Sequence, residues 1–332
     1  QQAGRAGRRN DASVSILVAS SSPLDQFIIN HPEYFFESSP EHGLINPDNL
    51  YILVSHIKCA AFELPFVDGE TFGGENINEI LAFLENERIL RHVGGRWYWM
   101  AESFPAEEVS LRSASAENFV IIDITEGAKV IGEIDRSSAP MLIHEEAIYM
   151  HAGQQYQVEK LDFEDKKAYV RKVNVDYYTD ANLAVEIKVL DVFREESEGN
   201  SKKYTGEVMV TSLATLFKKI KLFTHENLGF GSIHLPPEEM HTTAYWFSIP
   251  EGIAGLSKEE LQSGLLGLCS VMVNIAPLYL MCDPKDIRGV VQIRSPFTQQ
   301  PTIYIYDNFP GGVGFSEKLY GMQEQLLKAA RQ

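Results

Sequence analysis

The stretch Ile89-Leu-Arg-His-Val-Gly-Gly-Arg-Trp-Tyr-Trp-Met100 decides the fold of the segment in which it lies. Two short runs of strand-forming residues flank Gly94-Gly95, a pair that tolerates the positive φ angles of a tight hairpin turn. Two helical patterns precede it, one from Leu50 to Ala61, capped by Asn46-Pro47-Asp48, and one from Ile77 to Leu84. Helix, helix and hairpin in this order predict a winged helix with Gly94-Gly95 at the tip of the wing.

The wing also carries residues suited to nucleic acid. Arginines along it could contact phosphates, and its two tryptophans share one face because side chains alternate along a strand. Those tryptophans could stack on unpaired bases, or anchor the wing to the core. A second basic run, Phe217–Lys221, lies further along the chain, and both basic clusters could equally be solvated surface. The nucleic-acid candidates are Arg91, Arg96, Trp97, Trp99, Lys218 and Lys219.

Strand patterns dominate the chain after the wing. Between Phe119 and Val192, short apolar alternations separated by turns predict a small antiparallel barrel or sandwich. The last third mixes strands with a long helix from Lys258 to Met281, for which Ser257 and Glu260 form a capping box. Apolar residues cover most faces of that helix, which predicts a central buried position.

Composition limits the classes of protein that the chain could be. Its 332 residues carry a formal net charge of −17, which argues against nucleic acid covering the whole surface but allows a local basic track. No apolar run reaches about 18 residues, so we expect no membrane partner. The odd number of separated cysteines, Cys59, Cys269 and Cys282, favours a reducing, cytoplasmic setting over a disulfide framework.

The first nine residues, Gln-Gln-Ala-Gly-Arg-Ala-Gly-Arg-Arg, match Q-x-x-G-R-x-G-R, the sixth motif of superfamily 2 helicases. Arg5 and Arg8 are three apart and would lie on one side of a helical turn. Guanidinium groups so placed can neutralise charge on a transferring γ-phosphate. A basic, glycine-containing tail is the alternative interpretation.

Further motifs extend this resemblance along the chain. His56-x-x-Cys59-Ala-Ala-x-Glu-x-Pro65, Cys282-Asp-Pro-x-Asp286 and Tyr306-Asp-x-x-Pro-Gly-Gly-x-Gly314 occur in order. The chain therefore resembles the bacterial mitomycin repair factor A helicases, which are DEAD/DEAH-box proteins. The resemblance implies an α+β multidomain fold. Its expected parts are the end of a RecA-like α/β lobe (1–45), a winged helix (46–112), a small antiparallel β-barrel (113–196) and a C-terminal mixed α/β module (197–332).

The resemblance also implies an ATP-dependent 3′→5′ DNA helicase of DNA repair that acts on single-stranded DNA and 3′-tailed duplexes, with a repair nuclease as a further partner. ATP and Mg²⁺ would be its cofactors. Gln1, Gly4, Arg5 and Arg8 would face the ATP, with Arg8 as the arginine finger. The other ATP-binding lobe is missing, so we expect no ATP hydrolysis by this chain alone. Zinc is expected only beyond Gln332.

Three alternatives stay open at this point. The chain could be a non-catalytic scaffold that binds protein or nucleic acid. It could be a metal-dependent nuclease around Asp283, Asp286 and Asp307, although helix C-terminal capping and ordinary salt bridges explain these carboxylates as well. The loop from Asp307 to Gly314 could cradle phosphate, although a tight structural turn explains it better, and His56 with Cys59 has a metal-like spacing but no partner pair.

Overall fold

The structure, a computed structural model, describes residues 13–37, 46, 48–73, 77–109, 118–198, 201–250 and 256–331. Gln1, Gly4, Arg5 and Arg8 lie outside the described residues. The described elements form a small three-stranded sheet, a five-stranded sheet and a six-stranded sheet, with helices packed on the first and the last. The α+β multidomain class predicted from the sequence is confirmed.

The N-terminal segment contains two short helices, α1 (Pro23–Asn30) and α2 (Pro32–Phe36). Ser22 followed by Pro23 predicts the start of a helix that ends before Pro32, and α1 confirms this prediction. The apolar run 13–19, Ser-Val-Ser-Ile-Leu-Val-Ala, predicts a buried strand, but this prediction is wrong, because no strand forms there and Val14 is 81% exposed. A strand needs a neighbouring strand to pair its backbone groups, and no described strand lies beside this run. The Tyr34 hydroxyl donates to the Leu278 carbonyl oxygen at 2.8 Å and so ties α2 to the C-terminal module.

The predicted winged helix is present. Helix α3 (Leu50–Glu63), strand β1 (Phe66–Val67), helix α4 (Asn78–Asn86) and the hairpin β2 (Leu90–Val93) and β3 (Arg96–Trp99) follow one another in the chain. The sheet order is β1-β3-β2, and both glycines at the wing tip adopt positive φ, as a two-residue hairpin turn requires. A short 3₁₀ helix over Pro105–Glu108 follows the wing.

A curled, half-barrel sheet follows the winged helix. In chain order its strands are β4 (Asn118–Asp123), β5 (Lys129–Asp135), β6 (Ile148–His151), β7 (Gln154–Asp162) and β8 (Lys167–Lys172), with the short helix α5 (Ala139–Leu142) after β5. The spatial order is β5-β4-β8-β7-β6, and β4 pairs with β8 in parallel while the other pairs are antiparallel. No described pair joins β5 to β6, so the predicted antiparallel barrel is an open half-barrel with one parallel pair.

A long two-stranded ribbon leads into the C-terminal module. Strands β9 (Tyr177–Glu198) and β10 (Ser201–Lys221) pair along their length, and β10 continues the sheet in the order β11-β10-β12-β14-β13. The run 184–190, which its sequence pattern grouped with the barrel, instead pairs with β10. The remaining strands of this sheet are β11 (Asn227–Ser232), β12 (Glu238–Ser248), β13 (Ile287–Gln292) and β14 (Thr302–Asp307).

Helix α6 (Lys258–Leu280) packs one face on this sheet. Its predicted capping box is confirmed, because the Ser257 hydroxyl accepts from the Glu260 amide and the Glu260 carboxylate accepts from the Ser257 amide. The apolar pattern predicted a central helix that is buried on most faces. Leu266 and Val271 are exposed, however, so part of the helix surface faces solvent. By length and composition alone, α6 could cross a membrane, and no other helix among the described residues could. Helices α7 (Phe315–Gly321) and α8 (Gln323–Ala329) complete the module.

Candidate nucleic-acid interface

The outer face of the wing, defined here as Arg91, Val93, Arg96 and Tyr98, collects two arginines around an aromatic ring. Arg91 lies opposite Tyr98 and Val93 lies opposite Arg96 in the β2–β3 register, so all four side chains share one face. All four are exposed. Neither arginine makes an ion pair with any described residue. This face can therefore offer two unpaired guanidinium groups to phosphate oxygens.

The inner face of the wing belongs to the core. Trp97 is 8% exposed, its ring stacks on His92 at 4.2 Å, and its indole N–H donates to the Asp68 carboxylate at 2.9 Å. The same carboxylate oxygen lies 2.8 Å from His92 Nε2. Trp99 is half-buried and packs edge-on against Phe62. In these positions the two tryptophans anchor the wing, which is the second of the two roles that the sequence allowed them.

The second basic cluster divides between the two faces of the ribbon. Lys218 is exposed, lies opposite Phe230 of β11 and makes no ion pair with any described residue. Lys219 points the other way, and its ammonium lies 3.1 Å from a Glu146 carboxylate oxygen. Phe230 is 78% exposed and Phe223, at the end of the ribbon, is 94% exposed. Neither ring was predicted from the sequence, although the glycines on both sides of Phe230 were a signal, because small neighbours leave a ring uncovered.

The loop from Asp307 to Gly314 is a structural turn. In it the Asp307 carboxylate accepts the backbone amides that would otherwise be free to donate to a phosphate. This carboxylate is fully buried and accepts from the backbone amides of Val313, Gly314, Phe315 and Ser316 at 2.8–3.2 Å. The Ser316 hydroxyl also donates to it. The amides at the start of α7 already donate to a carboxylate of this chain. They are therefore not available as donors to a bound phosphate, which argues against the phosphate-cradle alternative.

The three aspartates considered for a nuclease do not form a metal site. Asp307 is committed to α7, while Asp283 and Asp286 accept backbone amides of their own turn, from Lys285 and Asp283 respectively. No group of three or more His, Cys, Asp or Glu residues within the described parts of the chain could hold a metal ion. The described contacts are those of a helix N-terminus and a turn, and they differ from the helix C-terminal capping and salt bridges that the sequence offered as the alternative to the nuclease.

Asn49 joins the winged helix to the C-terminal module. Its side-chain oxygen accepts from the amides of Tyr51 and Ile52 and so caps α3. The cap is therefore Asn49, not the preceding Asn46-Pro47-Asp48 as predicted. Its side-chain nitrogen donates to the carbonyl oxygens of Pro310 and Gly312, at 2.8 and 3.1 Å. One buried side chain thus connects the start of α3 to the loop before α7.

Two known domain families match parts of this chain. The winged helix domain of the ATP-dependent helicase HRQ1 matches residues 45–114, and the MrfA Zn-binding domain matches residues 268–332. The uncharacterized ATP-dependent helicase YprA of Bacillus subtilis is 51% identical over 334 residues, which are 100% of this chain and 45% of YprA. The ATP-dependent helicase HRQ1 of Saccharomyces cerevisiae is 30% identical over 87% of this chain and 28% of HRQ1.

Solved structures of the helicase MrfA superpose on this chain over its whole length. A crystal structure of the DUF1998 helicase MrfA bound to DNA and AMPPNP is 50% identical and superposes with a TM-score of 0.62, over 100% of this chain and 43% of that one. A further MrfA crystal structure has a TM-score of 0.69 at 44% identity and covers 47% of its chain. The chain thus matches a segment of the MrfA-type superfamily 2 helicases. It spans less than half the length of the relatives it matches.

The match to the MrfA Zn-binding domain corrects one expectation. Zinc was expected only beyond Gln332, whereas this domain begins within the chain, at residue 268. The described residues do not by themselves fit a zinc ion, which binds thiolates. Burial raises the pKa of the Cys269 thiol to about 11, and burial beside Asp286 raises the pKa of Cys282 to about 12. Cys269 also packs so closely beneath Gly289 that a Cβ there would lie 2.4 Å from its sulfur.

Proposed function

We propose that this chain is the C-terminal part of an ATP-dependent 3′→5′ DNA helicase acting in DNA damage repair. In that protein it supplies the arginines of the ATP site and the domains that handle DNA. The observation that carries the proposal is the outer face of the wing, where Arg91 and Arg96 are exposed and have no ion-pair partner among the described residues, on a chain of net charge −17. The resemblance to a helicase crystallised with DNA and AMPPNP supports it.

The wing face suits DNA because phosphate contacts provide most of the affinity of a nucleic-acid interface. An acidic body repels a polyanion, so a face that clusters positive charge favours the approach of DNA at that place. Tyr98 lies opposite Arg91 and two positions along β3 from Arg96, and it offers a flat, partly exposed surface to a sugar or a base. The inner face cannot serve in this way, because Trp97 is buried against Asp68 and His92.

The ATP-dependent role rests on Gln1, Gly4, Arg5 and Arg8, through the motif alone. Arg8 is the proposed finger on the γ-phosphate, and Arg5 the proposed γ-phosphate or interlobe contact. An arginine finger acts only on a nucleotide that other residues hold, so the chain by itself is expected to be inactive. ATP and Mg²⁺ are therefore proposed for the whole protein. A repair nuclease as partner and a cytoplasmic location stay predictions.

Unwinding of a 3′-tailed duplex by the full-length protein tests both parts of the proposal. Arg8→Ala should abolish ATP hydrolysis and unwinding while leaving DNA binding within about twofold, because the finger acts on the transition state. Unchanged ATP hydrolysis in that variant would remove the finger assignment.

The wing is tested by Arg91→Ala combined with Arg96→Ala. This pair should weaken binding to tailed duplex and reduce the slope of log K against log salt by about 1 for each phosphate that the variant no longer neutralises. Arg294→Ala is the matched control, since Arg294 makes no ion pair within the described residues and lies far from the wing in the chain. An unchanged salt slope in the double variant would refute the wing as a DNA contact.

A non-catalytic scaffold is the second candidate, and the net charge of −17 is the observation that favours it. A scaffold would hold a protein or nucleic-acid partner without consuming ATP. Full-length protein that binds DNA but shows no DNA-stimulated ATP hydrolysis would favour the scaffold over the helicase.

A further inference from the structure

The wing is a short hairpin with little support from neighbouring strands. Strand β1 has two residues and pairs only with Arg96 and Trp97 of β3. No described strand lies beside the outer edge of β2. A hairpin with so little pairing is marginally stable in water. The arginines of the outer face therefore depend on contacts other than strand pairing for a fixed position.

Asp68, the residue that follows β1, contacts the wing at three points. Its backbone N–H donates to the Gly95 carbonyl oxygen at 3.0 Å. Its Oδ1 accepts the indole N–H of Trp97 at 2.9 Å and lies 2.8 Å from His92 Nε2. An ionised carboxylate only accepts, so the His92 Nε2–H also donates to it. One residue thus links the tip of the wing to both of its strands.

These contacts lie next to both arginines of the outer face. Arg96 stands between Gly95 and Trp97 in the chain, and Arg91 directly precedes His92. His92 lies opposite Trp97 across the hairpin, and their rings stack at 4.2 Å. Successive side chains of a strand point to opposite faces. Contacts that hold His92 and Trp97 on the inner face therefore fix the backbone that presents the arginines on the outer face.

Glu85 of α4 holds the same hairpin at one further point. Its Oε1 accepts the backbone N–H of His92 at 2.9 Å. This bond joins α4 to β2 alone, whereas Asp68 contacts both strands and the tip. Among the described contacts, those of Asp68 are therefore the ones that set the position of one arginine relative to the other.

The charge of Asp68 acts against DNA, although its contacts support the wing. The side chain is 53% exposed, so its negative charge lowers the positive potential around the hairpin. If Asp68 contributed only a charge, its removal should tighten the binding of DNA. If it positions the arginines, its removal should weaken that binding. The two contributions have opposite signs, so an experiment can separate them.

We propose that Asp68 is a positioning residue for the DNA contact of the wing, and that it fixes the hairpin so that Arg91 and Arg96 reach phosphates together. The inference rests on the proposed function, because it takes the outer face of the wing as a DNA contact. Asp68 acts only through its hydrogen bonds to the wing and does not itself touch DNA. Two guanidinium groups on a fixed backbone lose less conformational freedom on binding than two on a mobile one.

Binding of a 3′-tailed duplex by the full-length protein, measured by fluorescence anisotropy at several salt concentrations, tests this role. Asp68→Ala should weaken binding about threefold or more and reduce the salt slope, although it removes a negative charge. Asp68→Asn should bind within about twofold of the unmodified protein, because its amide oxygen can accept both donors. Since the Asp68 side chain is half-exposed, alanine leaves no cavity in the core, and the melting temperature checks that the variant folds.

Glu87→Ala is the matched control for the loss of charge. Glu87 is exposed in the same winged helix, and its side chain makes no hydrogen bond or ion pair within the described residues. Removal of this charge should leave DNA binding unchanged or tighter. Weaker binding by Glu87→Ala, to the same extent as by Asp68→Ala, would overturn the inference.

Asp68→Ala in the background of Arg91→Ala and Arg96→Ala separates positioning from general damage. There it should change the affinity by less than about twofold, because no arginine remains to be positioned. Equal losses in the two backgrounds, a loss that Asp68→Asn does not restore, or unchanged binding by Asp68→Ala alone would each overturn the inference and leave the proposed function intact. An unchanged salt slope in the arginine pair alone is a separate result, which refutes the wing as a DNA contact and this inference with it.

Discussion

The side-chain nitrogen of Asn49 donates to the carbonyl oxygen of Gly312 at 3.1 Å, although the two residues are 263 positions apart in the chain. The approach is close enough that a Cβ at the neighbouring Gly311 would lie 2.5 Å from this same nitrogen. Because Asn49 is buried and also caps α3, the position of the winged helix is coupled to the loop before α7. A shift of either element would break the hydrogen bonds of Asn49. Because Asn49 is buried, water could not readily replace those bonds.

Asn49→Asp should separate the capping role of this residue from the joining role. Aspartate keeps an acceptor for the α3 amides, but it has no N–H for the carbonyl oxygens of Pro310 and Gly312. We expect a decrease of about 1–3 kcal/mol in the free energy of unfolding, against about 2–4 kcal/mol for Asn49→Ala, which removes both roles. Urea unfolding of the full chain followed by tryptophan fluorescence measures both values. Equal decreases for the two variants would show that the capping oxygen adds nothing beyond the joining N–H.

Gly312→Ala should destabilise the chain by close approach as well as by conformation. Gly312 has a φ of 71°, and its added Cβ would lie 2.2 Å from the Thr243 hydroxyl oxygen. Gly153→Ala is the matched control, since its φ is 79° and nothing lies within 4 Å of the added Cβ. The control should reduce the free energy of unfolding by about 1–2 kcal/mol from backbone strain, and Gly312→Ala by about 1–3 kcal/mol more from overpacking. Equal effects in thermal unfolding would contradict the close approach.

Local sequence rules predicted the elements whose cause is local. The hairpin at Gly94-Gly95 needs two residues with positive φ, and the capping box at Ser257 needs a hydroxyl and a carboxylate three positions apart. Both signals lie within a few residues of the structure that they produce. The loop from Asp307 was likewise predicted as a structural turn, because its glycines fit a turn better than a phosphate cradle.

Interactions that join distant parts of the chain were beyond such rules. Nothing in the residues around Asn49 indicates Gly312 as its partner, and the alternation over 184–190 fits a barrel strand as well as a strand paired with β10. For the same reason the sequence could not show that Lys219 pairs with Glu146 while Lys218 makes no ion pair within the described residues. The run 13–19 shows the opposite failure, since strand propensity there has no neighbouring strand among the described residues to pair with.

His144 should make the chain sensitive to mild acid. The ring is fully buried, its Nδ1 lies 2.8 Å from the Glu145 carbonyl oxygen, and it packs on Phe217 at 4.5 Å. Burial lowers the pKa of this histidine below its ordinary value of 6.5. The unfolded chain therefore takes up a proton first as the pH falls, so stability is complete above about pH 6.5 and decreases below it, by up to about 1.4 kcal/mol per pH unit.

Urea unfolding between pH 7.5 and 5 measures this slope, with His144→Asn as the test variant. Asparagine can still donate to the Glu145 carbonyl but cannot be protonated, so the part of the pH dependence due to His144 should disappear. His225→Asn, at an exposed histidine, should leave the slope as it is. A slope that is the same in all three proteins would exclude His144 as the source.

Lys218 and Lys219 should differ in their effect on DNA, although they are neighbours in sequence. Lys218 is exposed beside Phe230 and has no ion-pair partner in the described part of the chain, whereas Lys219 pairs with Glu146. If this edge of the ribbon contacts single-stranded DNA, Lys218→Gln should reduce the salt slope of binding by about 0.7, the value for one phosphate on a single strand. Phe230→Ala should weaken binding by about 1–3 kcal/mol without changing that slope, because stacking releases no counterions.

Lys219→Gln is the control within the same strand, since it removes the same charge from the opposite face. The slope of log K against log salt should stay that of the unmodified protein. An ammonium that is already paired with a carboxylate neutralises little additional charge on a phosphate. Fluorescence anisotropy with a labelled oligonucleotide at four or more salt concentrations distinguishes the variants. Equal changes in the salt slope for the two lysine variants would mean that only the total charge of the protein matters. The ribbon edge would then not contact DNA specifically.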